Sequence, residues 1–285
     1  MEPAGSRARP KNTGWRLFLQ GARARAYPRV WGATREPSWV FFDIVVPLIN
    51  AAAFVFLYRA LRAPEAYIGF IILGATMSTY WINVLWMMAS QLYWDKQEGF
   101  LELYILSPSS LMAILLGAGV GGLFMSTLRA GAIAILGTWL FGVRMDGSQW
   151  ALAALVFLVA LVALYGLGML LSSLFLMWGR EAWQLSLALM EPVFFLTGMN
   201  FPLGKLFSTI PGVLTLVSAA VPISFGLDAL RQLLFPGQIV GVFPPLVELA
   251  VLAGLAVGFI AAAYVMLRRM EWLARVEARL SIRWQ

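Results

Sequence analysis

Residues Leu206–Phe235 read LFSTIPGVLTLVSAAVPISFGLDALRQLLF. A stretch this long and apolar would ordinarily cross a bilayer, whose core takes ~20 mostly apolar residues in helical form. Pro211, Pro222, Asp228 and Arg231 interrupt it. Proline removes a helix donor and clashes with the preceding turn. The breaks leave two apolar pieces of roughly 10–12 residues, each too short to cross alone. A re-entrant helical hairpin fits this pattern better than a span.

Charge placement supports the same choice. The other long apolar stretches lie near residues 39–58, 67–92, 110–141, 151–177, 183–201 and 243–267. Arg7, Arg9, Lys11, Arg16, Arg23, Arg25, Arg29 and Arg35 precede the first, and Arg268, Arg269, Arg275, Arg279 and Arg283 follow the last. Six spans keep both basic ends in the cytoplasm, as the positive-inside rule prefers, whereas seven would export one of them. Lys96 and Arg180 then also lie inside. Trp39, Trp94, Trp178 and Trp183 fall near the inner interface, and Trp139 and Trp150 near the outer one, as aromatic belts require.

Composition agrees. Of 285 residues, 61% are hydrophobic and 12% charged, with mean hydropathy +0.79. A soluble domain is about a quarter charged, so this chain lacks the polar surface to cover itself and is expected in the cell membrane. The chain has no cysteine and no histidine. That removes disulfides, thiolate nucleophiles, the usual general base and the commonest metal ligands; no catalytic residue and no metal site is expected. The net charge of +7 sits where it would meet a membrane surface, and no nucleic-acid partner is expected.

The sequence therefore predicts an all-α polytopic membrane protein with three parts. Residues 1–38 form a basic tail and an amphipathic interfacial helix, 39–267 a six-helix transmembrane domain, and 268–285 a basic cytoplasmic tail. In the first part Trp15, Phe18, Leu19, Ala22 and Ala26 form one helical stripe with Arg16 and Arg23 off it, and Pro28 is expected to stop that helix.

Between the second and third spans, Asp95, Glu98 and Glu102 fall within one sector of about 60° on a helical wheel, with Phe100, Leu103 and Tyr104 opposite. Ser107-Pro108 ends the helix, and Ser109 or Ser110 can cap the next span. Helix N-terminal preference explains Asp95 and Glu98 but not Glu102. A positively charged protein partner accounts for all three.

The stretch EGFLELYILSPSS, Glu98–Ser110, resembles the "E…GTLE.L..SP" segment in the permease subunits of type-2 ATP-binding-cassette exporters. FFLTGMNFPLGKLFSTIPGVLTLVSAAVPISFGLDALRQLL, Phe194–Leu234, resembles that family's last third: a glycine-proline break, an external re-entrant hairpin, then Pro-(x)n-Asp-Ala-Leu-Arg. Phe100 stands where the family usually has threonine. The resemblance implies a permease that dimerises with a second copy or close homologue and binds a separately encoded nucleotide-binding ATPase, which would hold the ATP and Mg. Residues 95–106 would be the coupling helix, with Asp95, Glu98, Phe100, Glu102 and Tyr104 its docking residues. The chain has no phosphate-binding loop, since Leu206 follows Gly204-Lys205 where Ser or Thr is needed.

In the second span Thr76, Tyr80, Asn83, Met87 and Gln91 share a face; in the fifth, Gln184, Leu187, Glu191, Phe195 and Gly198 do. Polar groups in hydrocarbon face a helix or a cavity, so interhelical hydrogen bonding and a substrate pathway both fit. The resemblance favours the pathway, and a mixed aromatic and methionine lining suits an amphipathic or hydrophobic substrate such as a drug, a lipid or a lipid-linked glycan. Gly117-x-x-x-Gly121 and Gly254-x-x-x-Gly258 allow close packing, within the chain by preference. Arg129 and Glu191 lie at matching depths, so they either form a buried ion pair, or Arg129 snorkels or faces a water-filled vestibule. Two other classes remain open: an ion- or proton-coupled secondary transporter using Glu191 beside Pro192, and a membrane enzyme, for which Asp43, Arg129, Glu191 and Glu248 show no catalytic spacing.

Overall fold

The computed structural model describes residues 14–33, 35, 37–106, 110–178, 182–209, 212–237 and 241–277. The basic tail before residue 14, the Ser107-Pro108 stop, Ser109, Arg180 and everything after residue 277 lie outside the described residues, as do the side chains of Trp39, Trp178 and Trp183. The described residues are helices joined by turns: α1 (Gly14–Ala33), α2 (Pro37–Ala60), α3 (Ala66–Asn83), a π-helical turn (Val84–Ala89), α4 (Gln91–Gln97), α5 (Phe100–Leu106), α6 (Leu111–Phe141), α7 (Trp150–Trp178), α8 (Ala182–Leu196), α9 (Leu203–Thr209), α10 (Gly212–Ala220), α11 (Pro222–Leu234) and α12 (Pro245–Glu277).

The 31-residue α6 ends where the sequence carries caps. Ser110 has extended backbone and its hydroxyl accepts from the Ala113 N–H at 3.2 Å, opening α6, and Gly142 closes it in the left-handed region at φ 69°. Such caps satisfy groups that a helix end leaves without partners. α3, the π turn and α4 form one continuous passage, Ala66–Gln97. Of its most apolar stretch 89% is buried within the chain, against 11% for α2 and 17% for α12. The second span is thus the centre of the bundle, while α2 and α12 turn apolar faces outward, where lipid would cover them.

The connections sort to two ends. At the near end Arg25 of α1 meets Asp95 of α4, and Glu271 of α12 accepts from the Leu111 N–H that opens α6, at 2.5 Å. At the far end the Tyr58 hydroxyl donates to the Asn200 carbonyl at 2.8 Å, and the Asp146 N–H to the Leu234 carbonyl at 2.9 Å. Among the described residues, five helices are long and apolar enough to cross a membrane. A sixth passage is made by α8 and the turn after it: Ser186 lies 3.0 Å from Ser90, toward the near end, and Asn200 is at the far end.

This passage departs from the expected helix over 183–201. α8 stops at Leu196 after 15 residues, only ~22 Å of rise. The remainder, Thr197–Pro202, is a turn with Gly198 at φ 64°. The turn packs directly on α3, where a Cβ at Gly74 would sit 1.9 Å from the Met199 carbonyl oxygen.

The proline-broken stretch is a hairpin within the bundle. α10 and α11 meet at 84°. The Ser218 hydroxyl, near the bend, donates to the Leu196 carbonyl at 2.6 Å, and Gly226 abuts Ala160 of α7, about 15 Å along α7 from its far end. α11 then returns to the far-end connection through Leu234, and the Lys205 ammonium of α9 lies 5.7 Å over the Tyr67 ring at the far end of α3. Both limbs therefore emerge at the same end.

Three other boundaries differ. α1 continues past Pro28 to Ala33, because its second half is held from outside itself: a Cβ at Gly117 of α6 would lie 2.1 Å from the Ala22 carbonyl oxygen, and one at Gly121 3.1 Å from that of Ala26. The first small-residue pair thus packs α1 onto α6, whereas a Cβ at Gly254 or Gly258 would meet no other helix within 4 Å among the described residues. α12 runs ten residues beyond the expected span, since residues 268–277 contain no glycine or proline to end it. The helix expected over 95–106 is two helices, α4 and α5, broken at Glu98–Gly99 with Gly99 at φ 81°.

Candidate functional site

The break at Gly99 changes which residues face out. Asp95 is 1% exposed; it accepts from Arg25 Nη2 and Gln91 Nε2, each at 2.7 Å. It does not belong to an exposed acidic face, because a single wheel drawn through 95–106 ignores the turn between α4 and α5. Glu98 and Glu102 are exposed. With them stand Trp94, Phe100 at 44% and Leu103 at 61% exposure. Phe100 therefore does not pack inward as the wheel places it; Leu101, 1% exposed, fills that role. Tyr104 is half-buried with the Arg25 guanidinium 5.8 Å over its ring. Burial, and then the charge of Asp95, push its hydroxyl pKa above the usual 10.

Arg29 completes this network. It donates to the Gln91 side-chain oxygen and, at 3.4 Å, to the Ala118 carbonyl. Burial, and then the neighbouring Arg25 charge, bring its pKa down to about 10, so it remains a cation at neutral pH. Asp95, Gln91, Arg25 and Arg29 together fasten α1 to α4.

The two expected pathway faces have different fates. On the second span, Tyr80 is buried, its hydroxyl 3.3 Å from Thr127 Oγ1 and its ring edge-on to Phe157 at 5.6 Å. Asn83 accepts from the Tyr165 hydroxyl at 3.0 Å, and Gln91 is engaged as described. Of Tyr80, Asn83, Met87 and Gln91, only Met87 is exposed. Tyr80, Asn83 and Gln91 thus make the interhelical bonds that were the alternative reading. On α8, by contrast, Leu187, Glu191 and Phe195 are all exposed. Phe195 meets Phe201 edge-on at 5.6 Å.

The expected Arg129–Glu191 pair is not formed. Arg129 Nη1 lies 2.5 Å from Asp43 Oδ2 of α2, and Glu191 stands exposed on α8. Matching depth says nothing of which side of a helix a residue occupies, and α2 is the helix that supplies the acid. Among the described residues no group of three or more acids, histidines or cysteines could hold a metal ion.

At the far end Arg231, fully buried, does work that sequence reasoning leaves unassigned. It donates to the carbonyls of Gly198 (2.7 Å), Met199 (2.8 Å), Phe201 (3.0 Å) and Phe70 (3.0 Å), and stacks 5.3 Å over the Phe70 ring. Three of these acceptors lie in the unwound turn after α8, where helical donors are missing, and the fourth, Phe70, lies in α3, so the side chain also ties the turn to α3. In an apolar surrounding each would cost several kcal/mol unpaired. An arginine within an otherwise apolar helix is the available signal. Nearby, Asp228 accepts from the Val242 N–H at 2.7 Å and from Gln232 at 3.3 Å, and Gln232 also reaches Glu248 at 3.4 Å, tying α11 to α12.

Two cavities accompany these sites. One of about 720 Å³ lies at the far end among α2, α3 and the α6–α7 connection, with Arg59, Glu65 and Arg144 on its walls. The other, about 530 Å³, lies among α1, α2, the second span and α6.

No curated protein matches the chain. The family model described as ABC-2 type transporter matches residues 29–235, from the end of α1 through the hairpin. That match covers more than two-thirds of the chain and takes in every passage except α12. The chain is a membrane component of an ATP-binding-cassette transporter and belongs to the ABC-2 family.

Proposed function

We propose that the chain is the permease subunit of an ATP-driven exporter, working as a dimer with a second copy or close homologue. ATP and Mg are held by a separate ATPase subunit, which supplies hydrolysis. The near end, with α1, the end of α12 and α4–α5, faces the cytoplasm of the cell membrane, and the α9–α11 hairpin faces outside. Positive-inside asymmetry supports this orientation. The substrate is an amphipathic or hydrophobic molecule, and the exposed α8 face of Leu187, Glu191 and Phe195 lines its route.

The observation that carries the reading is the outward face of α4–α5. Glu98 and Glu102 flank exposed Phe100 and Leu103, an acidic and apolar surface at the end where an ATPase would sit. Interfaces combine such apolar anchors with complementary charge. The test is recovery of the ATPase with tagged permease from solubilised membranes. Glu98→Lys with Glu102→Lys is expected to abolish recovery, since like charges across an interface cost several kcal/mol, while the permease remains inserted and monodisperse. Normal recovery with the double variant sinks the docking assignment.

A further inference from the structure

The cavity among α1, α2, the second span and α6 carries an inference of its own. Six of its walls matter: Arg29, Asp43, Asn83, Met87, Met125 and Arg129. Two guanidiniums face it against one carboxylate, so the lining holds a positive charge in excess. Asp43 is already engaged by Arg129, and Asp95, whose charge acts on Arg29, by Arg25. Arg29 makes no ion pair among the described residues; its bonds go to an amide oxygen and a carbonyl.

Apart from the second carboxylate oxygen of Asp43, the polar groups left over are donors. Arg129 Nε is buried without a hydrogen-bond acceptor. The Tyr165 hydroxyl takes the Asn83 amide oxygen, which leaves the Asn83 NH2 group to the cavity. Orphaned donors and an unpaired cation in low dielectric are costly unless an anion meets them. Between them the walls are apolar: Met87 and Met125 flank the space, and Gly121 to Arg129 carries it along α6 for ~12 Å. One wall is α2, the least buried span, so the cavity borders the lipid.

We infer that this cavity binds an anionic amphiphile, a molecule with one phosphate-type head and an apolar chain. The head sits between Arg29 and the Asn83 amide, with Arg129 as the deeper donor, and the chain lies along Met87 and Met125. The inference deepens the transporter reading by naming a cargo class, and it rests on that reading for what binding leads to. Because Arg29 bonds Gln91, which bonds Asp95, the head-binding cation is tied directly to the α4 segment.

The test is binding to the purified full-length chain in neutral detergent, without any ATPase, so that a failure of ATPase docking leaves it unaffected. Dodecyl phosphate is compared with dodecanol and with inorganic phosphate, and the affinity of each is read from saturable thermal stabilisation. Dodecyl phosphate is expected to bind at least about 10-fold more tightly than either half alone, since head and tail contribute together. Arg29→Gln is expected to weaken it by about 10-fold, as loss of a charge-assisted bond would, and Arg29→Lys to retain most of the affinity. Met125→Trp, which fills the cavity and spares the charge, is expected to weaken it as well, and decides the matter should Arg29→Gln not fold. Equal binding of inorganic phosphate overturns the amphiphile, and affinity unchanged by both Arg29→Gln and Met125→Trp overturns the site. Transport with a partner ATPase that persists alongside either result leaves the exporter reading standing and this inference refuted.

Discussion

The two ends of the bundle use arginines differently. At the near end Arg25 and Arg29 bond side chains, Asp95 and Gln91, so that two separate helices, α1 and α4, are fastened by groups that can exchange partners. At the far end Arg231 bonds main chain, with Gly198, Met199, Phe201 and Phe70 all offering carbonyls. The three carbonyls of the turn cannot rotate away or find water without unfolding it. The far end is accordingly a fixed anchor for the re-entrant hairpin. The near end is a latch, placed beside the surface through which an ATPase would push.

Breaking the anchor should have the largest effect. Arg231→Met keeps apolar volume but takes the donor from the turn carbonyls of Met199 and Phe201 in an apolar surrounding, at about 1–3 kcal/mol or more each. The expected outcome is no monodisperse protein in neutral detergent by size-exclusion chromatography, with Arg231→Lys recovering part of it. Normal yield and melting temperature for Arg231→Met would show that the turn is satisfied some other way.

Loosening the latch should do less. Gly117→Val drives a side chain into the Ala22 carbonyl, so α1 should lift from α6 while the spans persist. Limited trypsin cleavage at Arg23 or Arg25 should then accelerate at least tenfold, because cleavage follows the population of the open form. Gly254→Val, with open space around it, should leave that rate unchanged. Equal cleavage of both variants would contradict the packing of α1.

The membrane ion pair ranks third. Asp43→Asn leaves Arg129 without its acid and should lower the melting temperature by a few degrees, for a cost of about 1–3 kcal/mol. Glu191→Gln, on an exposed face, should change stability by less than about 0.5 kcal/mol. Should the two substitutions trade places in size, Arg129 is paired with the wrong helix here.

Much of this architecture is legible in the sequence, and the misses share a cause. Pro211 and Pro222 announce the hairpin because proline acts on the backbone locally. Ser110 and Gly142 mark the ends of α6 for the same reason. What fails is azimuth. The wheel that groups Asp95 with Glu98 and Glu102 assumes a straight helix, although Gly99, the residue that breaks it, is visible in the stretch itself. Depth-matching of Arg129 to Glu191 has no information about direction, so Asp43 goes unnoticed as the partner. Basic residues locate the membrane boundary but not the end of α12, which needs only helix-forming residues to continue. Arg231 is readable as a costly residue in an apolar segment, yet its acceptors belong to a turn and a helix distant in sequence.

The central claim divides the three acids of the α4–α5 segment into one latch residue, Asp95, and two docking residues, Glu98 and Glu102. The direct test is a paired measurement on Asp95→Asn and on Glu98→Lys with Glu102→Lys: ATPase recovered with tagged permease, and transport per ATP hydrolysed. Asp95→Asn should keep recovery at the wild-type level and lower the transport yield, because the partner still docks but α1 no longer follows α4. The double lysine variant should lose recovery altogether. Loss of recovery with Asp95→Asn, alongside normal recovery with the double variant, would reverse the assignment and return Asp95 to the docking face.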